Sequence, residues 1–378
     1  MIHIKNCLRA AALLLLLGSL FYSYIIFPVN VAAARTLDDF EAHPPIHIDA
    51  GSSSIPRGLA PSMVKAAYHL PSSGGSGTIA LVEAFNSATI EKDLATFSKQ
   101  FSLAACTVND KCLEIHPMDP SGRSDSGWAM ETALDVEWAH AIAPKAKILL
   151  VEAATASGGN LMKAVDYARS RADVIAVSMS WGGPEFTGET ALDAHFSSSH
   201  PISFFASSGD NGAGASWPAV APGVVAVGGT SLEMDSKGKM ISEKAWAGSG
   251  GGVSAYESEP AYQKGYDIPR SKNMRAIPDV SYAADPAHGF SAYQNGKWYV
   301  VGGTSAGAPQ WAAIASLSYS AKNIITASEL YIDKAGTSNG NFFRDIISGK
   351  NGTCAYYCQA RTRYDYVTGL GSPMTYKF

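Results

Sequence analysis

Charge is scarce in this sequence. Asp, Glu, Lys and Arg make up 16% of its 378 residues, against about 25% in an average soluble domain. No Lys/Arg-rich run interrupts it, and the formal net charge is −4, so the chain lacks the basic footprint of a nucleic-acid binder. A surface of this kind holds few ion pairs that acid could break, which suits an acidic workplace. Cysteine is sparse as well, with five residues and no Cys-x-x-Cys, which disfavours zinc, the rival reading of the cysteine pairs. Cys106 and Cys112 are near neighbours, as are Cys354 and Cys358, and local pairing is the simplest of three connectivities. Bridges across such short loops shape local structure more than they restrain the unfolded chain. Linkers, repeats and low-complexity tracts are missing from the middle of the chain, so one long alternating unit is expected.

A single long apolar run is present, near the N-terminus. Lys5 and Arg9 precede an uncharged stretch over residues 10–34 that closes on Ala32-Ala33-Ala34, the pattern of an export signal with a small-residue cleavage site. Cys7 falls in this region. The stretch is also long enough to span a bilayer if it stays uncleaved. Either way the remainder is expected outside the cytoplasm, secreted or anchored to a membrane by this segment alone, where disulfides are permitted. Residues 1–34 thus read as signal or anchor, 35–55 as a short polar linker without pattern, and 56–378 as the folded domain.

Apolar, β-branched runs at residues 78–85, 147–152, 174–181, 202–207 and 224–229 predict buried strands, and helical spacing occupies 89–101, 126–142, 160–171 and 189–199. The second of these helices stops before Pro144, and a short helix within 59–70 leads in. Asn295-Gly296 marks a hairpin turn between 290–293 and 297–301. Helices alternating with strands that are apolar on both faces predict an α/β fold, a mostly parallel central sheet with helices on both faces. Sites in such sheets form at the carboxyl ends of strands. Ser180-Trp181-Gly182, Ser208-Gly209-Asp210 and Gly303-Thr304-Ser305 all fall there.

The last of these lies in Val301-Gly-Gly-Thr-Ser-Ala-Gly-Ala-Pro309, a strand running through a glycine turn into a helix. That arrangement presents Ser305 at the positive end of a helix, as a nucleophile or, more simply, as an N-cap. Glu131 and Asp135 stand one helical turn apart with no Lys or Arg between Arg123 and Lys145. Like charges so spaced repel. They form either a solvated face, with Glu137 and His140 as further polar decoration, or a pair sharing one proton. In the second case Glu131 can take the proton of Ser305 while Asp135 orients it, in the manner of a serine triad, and a carboxylate base works in acid where imidazole is protonated. Asp210 follows a strand and precedes a glycine turn. It is either an Asx-turn or, protonated, a donor to an oxyanion, worth about 3–4 kcal/mol.

Glu-x-x-x-Asp at Glu131 and Asp135, Ser-Ser-Gly-Asp ending at Asp210 and Gly-Gly-Thr-Ser-Ala-x-Ala-Pro around Ser305 together resemble the sedolisin family of serine-carboxyl peptidases, over roughly residues 56–378. The resemblance implies a subtilisin-like fold, with Ser305 the nucleophile, Glu131 the base, Asp135 its orienting partner and Asp210 the oxyanion acid. An ordinary subtilisin is the closest rival. Against it, no histidine stands in a His-Gly-Thr context, and the first strand ends Val82-Glu83-Ala84-Phe85 where that family carries its aspartate. The resemblance further implies one structural Ca2+ held by Asp345, Ile346 through its carbonyl, and Asp365. Hard oxygen donors suit that ion, although the family's ligating glycines are here Arg361 and Arg363. Ser180, Trp181 and Gly182 resemble the strand along which a peptide substrate lies, and Ser216 and Trp217 a side-chain pocket wall, Trp181 equally reading as core. The long N-terminal propeptide common in the family has no counterpart between Ala34 and the start of the match.

The expectation is therefore an exported, acid-acting serine-carboxyl endopeptidase, monomeric, acting on peptides or proteins through an acyl-enzyme on Ser305. A non-catalytic binding protein on the same fold and a tripeptidyl exopeptidase are the alternatives.

Overall fold

The computed structural model describes residues 36–49, 51–319, 324–332 and 342–378. The apolar N-terminal run and Cys7 lie outside them. No helix among the described residues is long and apolar enough to cross a membrane.

The central sheet is built from β1 (Thr78–Ala84), β2 (Leu113–Pro117), β3 (Lys147–Ala153), β4 (Val174–Met179), β5 (Ser203–Ser207), β6 (Val224–Met234), β7 (Met240–Ala245) and β8 (Val280–Ala283). Their order is β7-β6-β5-β4-β1-β3-β2, with β8 also paired to β6. All pairings are parallel except that of β7 with β6. β1 is flanked by β3 and β4, the point at which the strand order reverses, and a crevice opens beyond strand ends at such a point. A hairpin, β9 (Phe290–Gln294) and β10 (Lys297–Gly302), delivers the chain to Ser305.

Four helices cover the sheet: α1 (Ile90–Gln100), α2 (Ser126–Ile142), α3 (Gly158–Ser170) and α4 (Gly307–Tyr319). Alternate residues of β1 serve the two sides: Ile79 and Leu81 join the core beneath α2 and α4, while Ala80 and Val82 join that beneath α3. This period-2 division of an all-apolar strand is what a sheet buried on both faces demands. α2 begins at Asp125, whose carboxylate accepts the N–H groups of Gly127 (2.9 Å) and Trp128 (3.0 Å) and so satisfies two orphan donors of the first turn. Fourteen of its seventeen residues are buried, so α2 is enclosed all round and its carboxylates have no solvent face. Glu137 and His140, read above as surface decoration, are buried too.

The remaining differences are local. Residues 189–199, expected as an α-helix, form a 3-10 helix over Glu189–Phe196, entered from Gly188 at φ 94°. β2, β7 and β8 went unrecognised because they are short and, in β2 and β7, charged residues break the apolar run. The disulfides are the two neighbouring pairs, Cys106–Cys112 and Cys354–Cys358.

The described part of the segment read as a polar linker makes defined contacts. Phe40 and Ala42 are buried, Glu41 and His43 exposed, and His47–Ile48 pairs antiparallel with β10. Four residues of alternation, Phe40 to His43, are too few to stand out in a sequence.

Candidate active site

Ser305 arrives at the end of β10 through Gly302 and Gly303. Gly303 has φ 130°, and a Cβ there would meet the Pro45 carbonyl oxygen at 2.0 Å and Asp210 Oδ2 at 2.6 Å, so only glycine fits between them. A single 3-10 turn, Thr304–Ala306, then leads into α4. Ser305 is fully buried, and its hydroxyl donates to the Pro45 carbonyl oxygen at 2.8 Å.

From α2, Glu131 and Asp135 project toward this turn, both with no exposed surface. The Ser180 hydroxyl, just past β4, donates to Asp135 Oδ2 (2.6 Å) and also lies 3.2 Å from the Ser305 carbonyl oxygen. A third buried carboxyl group joins them: Glu83, near the end of β1, on the same side as Ile79 and Leu81. Both oxygens of Glu83, both of Glu131 and Oδ1 of Asp135 lack a protein donor. Protons held between them, carboxyl O–H to carboxylate, reconcile acceptors so placed.

Burial raises all three groups. Asp135 is pushed up to about 7, restrained by the hydroxyl of Ser180 and by its carboxyl neighbours. Glu131 is raised well above the usual carboxylate range by burial and then by the charge of Asp135, while Ser305 pulls it down. Glu83 is raised by burial, then by Asp135 and Glu131. The three therefore titrate as one unit carrying fewer than three negative charges at neutral pH.

Asp210 stands beside the turn that carries Ser305, in the loop after β5. Thr304 donates to its Oδ1 from both N–H and hydroxyl, each at 2.8 Å, and His47 Nε2 lies 3.2 Å from its Oδ2. Burial raises Asp210, opposed by His47 and Thr304. A carboxyl group that keeps its proton beside a serine hydroxyl can donate to oxygen, as an oxyanion site requires.

Ser305, Glu131, Asp135 and Asp210 are thus brought together, and so is Gly182, whose backbone pairs with His43. Ser180 serves the cluster through its hydroxyl. Trp181 and Trp217 are fully buried. The Trp181 indole donates to the Val82 carbonyl at 2.8 Å, and Trp217 packs against Phe186, Phe196 and Phe40, so both support the cleft from behind. Ser216 lines it. Glu83 was missed as a site residue, although an acid at a core-facing position of an apolar strand was a readable signal.

Asp345 and Asp365 lie in a separate loop cluster. Backbone N–H groups of Arg363 and Arg361 donate to Asp345 Oδ2 (2.8 Å) and Asp365 Oδ2 (3.0 Å), and those of Val367 and Thr368 to Asp365 Oδ1. The carbonyls of Ile346, Arg361 and Arg363 accept no hydrogen bond among the described residues. The arginine guanidinium groups lie over the rings of Tyr356 (Arg361, 4.4 Å) and Tyr266 (Arg363, 5.7 Å). Two carboxylates with three uncommitted carbonyls are a donor set that fits a hard divalent cation.

Comparison with known proteins gives the site its context. Residues 122–344 match the model of the subtilase family. Kumamolisin from Bacillus sp. (strain MN-32) is 30% identical, the alignment covering 90% of this chain and 65% of that protein. Sedolisin from Pseudomonas sp. (strain 101) is 31% identical over 53% of this chain and 39% of its own length. The chain therefore spans less than two thirds of either relative. The structure of Pseudomonas sedolisin, solved with two molecules of pseudo-iodotyrostatin, superposes with a TM-score of 0.73 at 25% identity, covering 85% of this chain and 96% of that one.

Proposed function

Since this chain belongs to the subtilase family, in its sedolisin branch, we propose that it is an exported, acid-acting endopeptidase that hydrolyses peptide bonds through an acyl-enzyme on Ser305. One observation carries this reading: a serine hydroxyl at a glycine turn, with a donor-poor carboxyl cluster and an aspartate whose side chain is buried gathered around that turn.

Each group has a step for which it is suited. Ser305 Oγ attacks the carbonyl carbon of the substrate and passes its proton to Glu131, whose raised pKa gives a carboxylate the basicity the task needs. Asp135 orients Glu131, and Ser180 fixes Asp135. The negative charge that develops on the carbonyl oxygen is met by the proton of Asp210, in a pocket where such a bond counts for more than in water. Glu131 then returns its proton to the leaving amine, and water repeats the sequence in reverse to free the enzyme. An ionised Asp210 would repel the oxyanion, so the reading requires activity in acid.

Extended peptides would pair with the backbone at Gly182, a sequence-tolerant mode of recognition, beside a cleft of about 390 Å3 lined in part by Gly209, Asp210 and Ser216. We further assign Asp345, the Ile346 carbonyl and Asp365 to one Ca2+, with the carbonyls of Arg361 and Arg363 completing the set. Bound there, the ion would neutralise the carboxylates and tie the loops together, with no part in the chemistry.

The test is hydrolysis of a denatured protein between about pH 3 and 7 by wild type and Ser305→Ala. Equal activity in the two would end the reading. Product lengths from a defined peptide separate internal cleavage from removal of tripeptides.

A further inference from the structure

Cys106, Cys112 and His140 meet at a place that peptide hydrolysis does not use. A ring nitrogen of His140 and the two sulfurs all lie within 4.8 Å of one another. His140 projects from α2 near its C-terminal end, nine residues beyond Glu131 and so about 14 Å from it along the helix axis. Cys106 and His140 are buried, while Cys112 is half-buried and reaches solvent.

The histidine is set up as a ligand. Its Nε2 lies 2.9 Å from the Ala104 carbonyl oxygen, which can only accept, so the ring proton sits on Nε2 and Nδ1 keeps its lone pair. Nδ1 is buried and has no hydrogen-bond partner among the described residues. A backbone carbonyl that takes the outer N–H and fixes the tautomer is the usual support of a metal-bound histidine. The cysteine loop, for its part, is held by bonds other than its disulfide. Asp110 Oδ1 accepts the N–H groups of Thr107 (3.1 Å) and Cys112 (2.9 Å). The Leu113 N–H donates to the Thr107 carbonyl (3.1 Å), and the Ile148 N–H to the Cys112 carbonyl (2.7 Å). Breaking the S–S bond therefore leaves both side chains beside the same histidine. The sulfurs need part only to about 3.8 Å, their separation across a tetrahedral zinc with Zn–S near 2.3 Å.

We propose that, once the Cys106–Cys112 disulfide is reduced, the two thiolates and His140 Nδ1 bind one Zn2+ with water in the fourth position, so that the loop is closed by either a disulfide or a metal. A dithiol supplies two electrons and two protons: its own sulfurs join in a disulfide as the Cys106–Cys112 bond gives two thiols. Zn2+ then displaces both thiol protons, which pass to solvent. Two thiolates and an imidazole suit zinc, whereas the all-oxygen donors of the Asp345/Asp365 loops suit a hard cation. Cysteine spacing alone gives no such site, because the histidine comes from a separate element, 28 residues beyond Cys112. The site stands whether or not Ser305 is a nucleophile.

The full chain, reduced with a phosphine and kept free of oxygen in excess calcium, is the material for the test. The phosphine becomes its oxide with oxygen taken from water, and is then removed. X-ray absorption at the zinc edge should show two sulfurs at about 2.3 Å, one nitrogen near 2.0 Å and the outer-shell scattering of one imidazole. Zinc should slow alkylation of Cys106 and Cys112, but not of Cys354 and Cys358, read by mass spectrometry. His140→Ala should weaken Zn2+ binding by more than about tenfold, the loss that removal of even an outer partner brings, in competition with a chromophoric chelator. Cys354→Ser/Cys358→Ser should bind as wild type does, and the oxidised chain should show no sulfur around zinc. A zinc shell without sulfur or without imidazole in the reduced wild type would overturn the site, and this reading holds even if His140→Ala fails to fold. Unchanged affinity in a folded His140→Ala, binding lost in Cys354→Ser/Cys358→Ser, or loss of the native near-ultraviolet circular dichroism on reduction would overturn it as well.

Discussion

On the proposed mechanism Glu131 and Asp210 serve one hydroxyl in opposite protonation states, the first ionised and the second neutral. Burial is the largest influence on both and raises both; Asp135 pushes Glu131 further up while Ser305 pulls it down, and His47 and Thr304 pull Asp210 down. Glu131→Gln should lower kcat by about 10²–10⁴ with KM little changed, the signature of a lost base. Asp210→Ala should cost about 10²–10³ in kcat for a lost oxyanion donor. In Asp210→Asn a non-titrating amide takes the place of the carboxyl, so the fall in kcat/KM on the alkaline side should disappear from the pH profile. The four groups that meet at the site could be picked out in the sequence because the proposed chemistry ties their types to short local patterns. Glu83 was legible only as an acid within an apolar strand; which face it serves depends on the register of β1, and that register is set by β3 and β4. Trp181 and Trp217 show the same limit: an aromatic beside a cleft strand has one composition whether it faces substrate or core.

Among the elements, α2 carries the most. Its sequence-predicted and observed bounds coincide because strong local signals mark both ends, the Asp125 cap and Pro144. The 3-10 winding of Glu189–Phe196 and the short strand His47–Ile48 with the bridges at Glu41 and His43 had no comparable marks, the strand and bridges being fixed by partners distant in sequence. Trp138 holds α2 in place: its ring packs edge-on to Phe290 at 4.7 Å and its indole donates to the Ser291 carbonyl at 3.0 Å. Trp138→Ala should destabilise the fold by about 3–5 kcal/mol, read from chemical denaturation. It should also lower kcat more than KM, because Glu131 and Asp135 ride on the same helix.

For the whole molecule, the raised carboxyl groups set the pH dependence of stability. Asp135 and Glu257 are pushed up to about 7, Asp193 to about 6 and Glu189 to about 9, in each case mainly by burial. Unfolded, such groups titrate near pH 4, so between about pH 4 and 7 the native state holds more protons than the unfolded chain. Their contribution is complete below about pH 4 and is lost as pH rises through the folded values. The depressed carboxyls Asp110, Glu114, Asp119 and Asp173 act in the opposite sense but are surface groups, each worth little. Tm should therefore be higher near pH 4.5 than near pH 7.5, by several degrees in a calorimetric scan. If the Asp345/Asp365 loops hold Ca2+, a chelator at neutral pH should lower Tm and added calcium restore it.

The enclosure of α4 has a bearing on the cell that makes this chain. All but one of its thirteen residues are buried, against α2 and strands β1, β4, β5, β6 and β8, so Ser305 reaches its position only when segments some two hundred residues apart have condensed around that helix. Contacts so distant in sequence form slowly. If the proposed activity is right, a partly synthesised chain is consequently harmless to its neighbours, and the capacity to cut arrives only with the finished molecule.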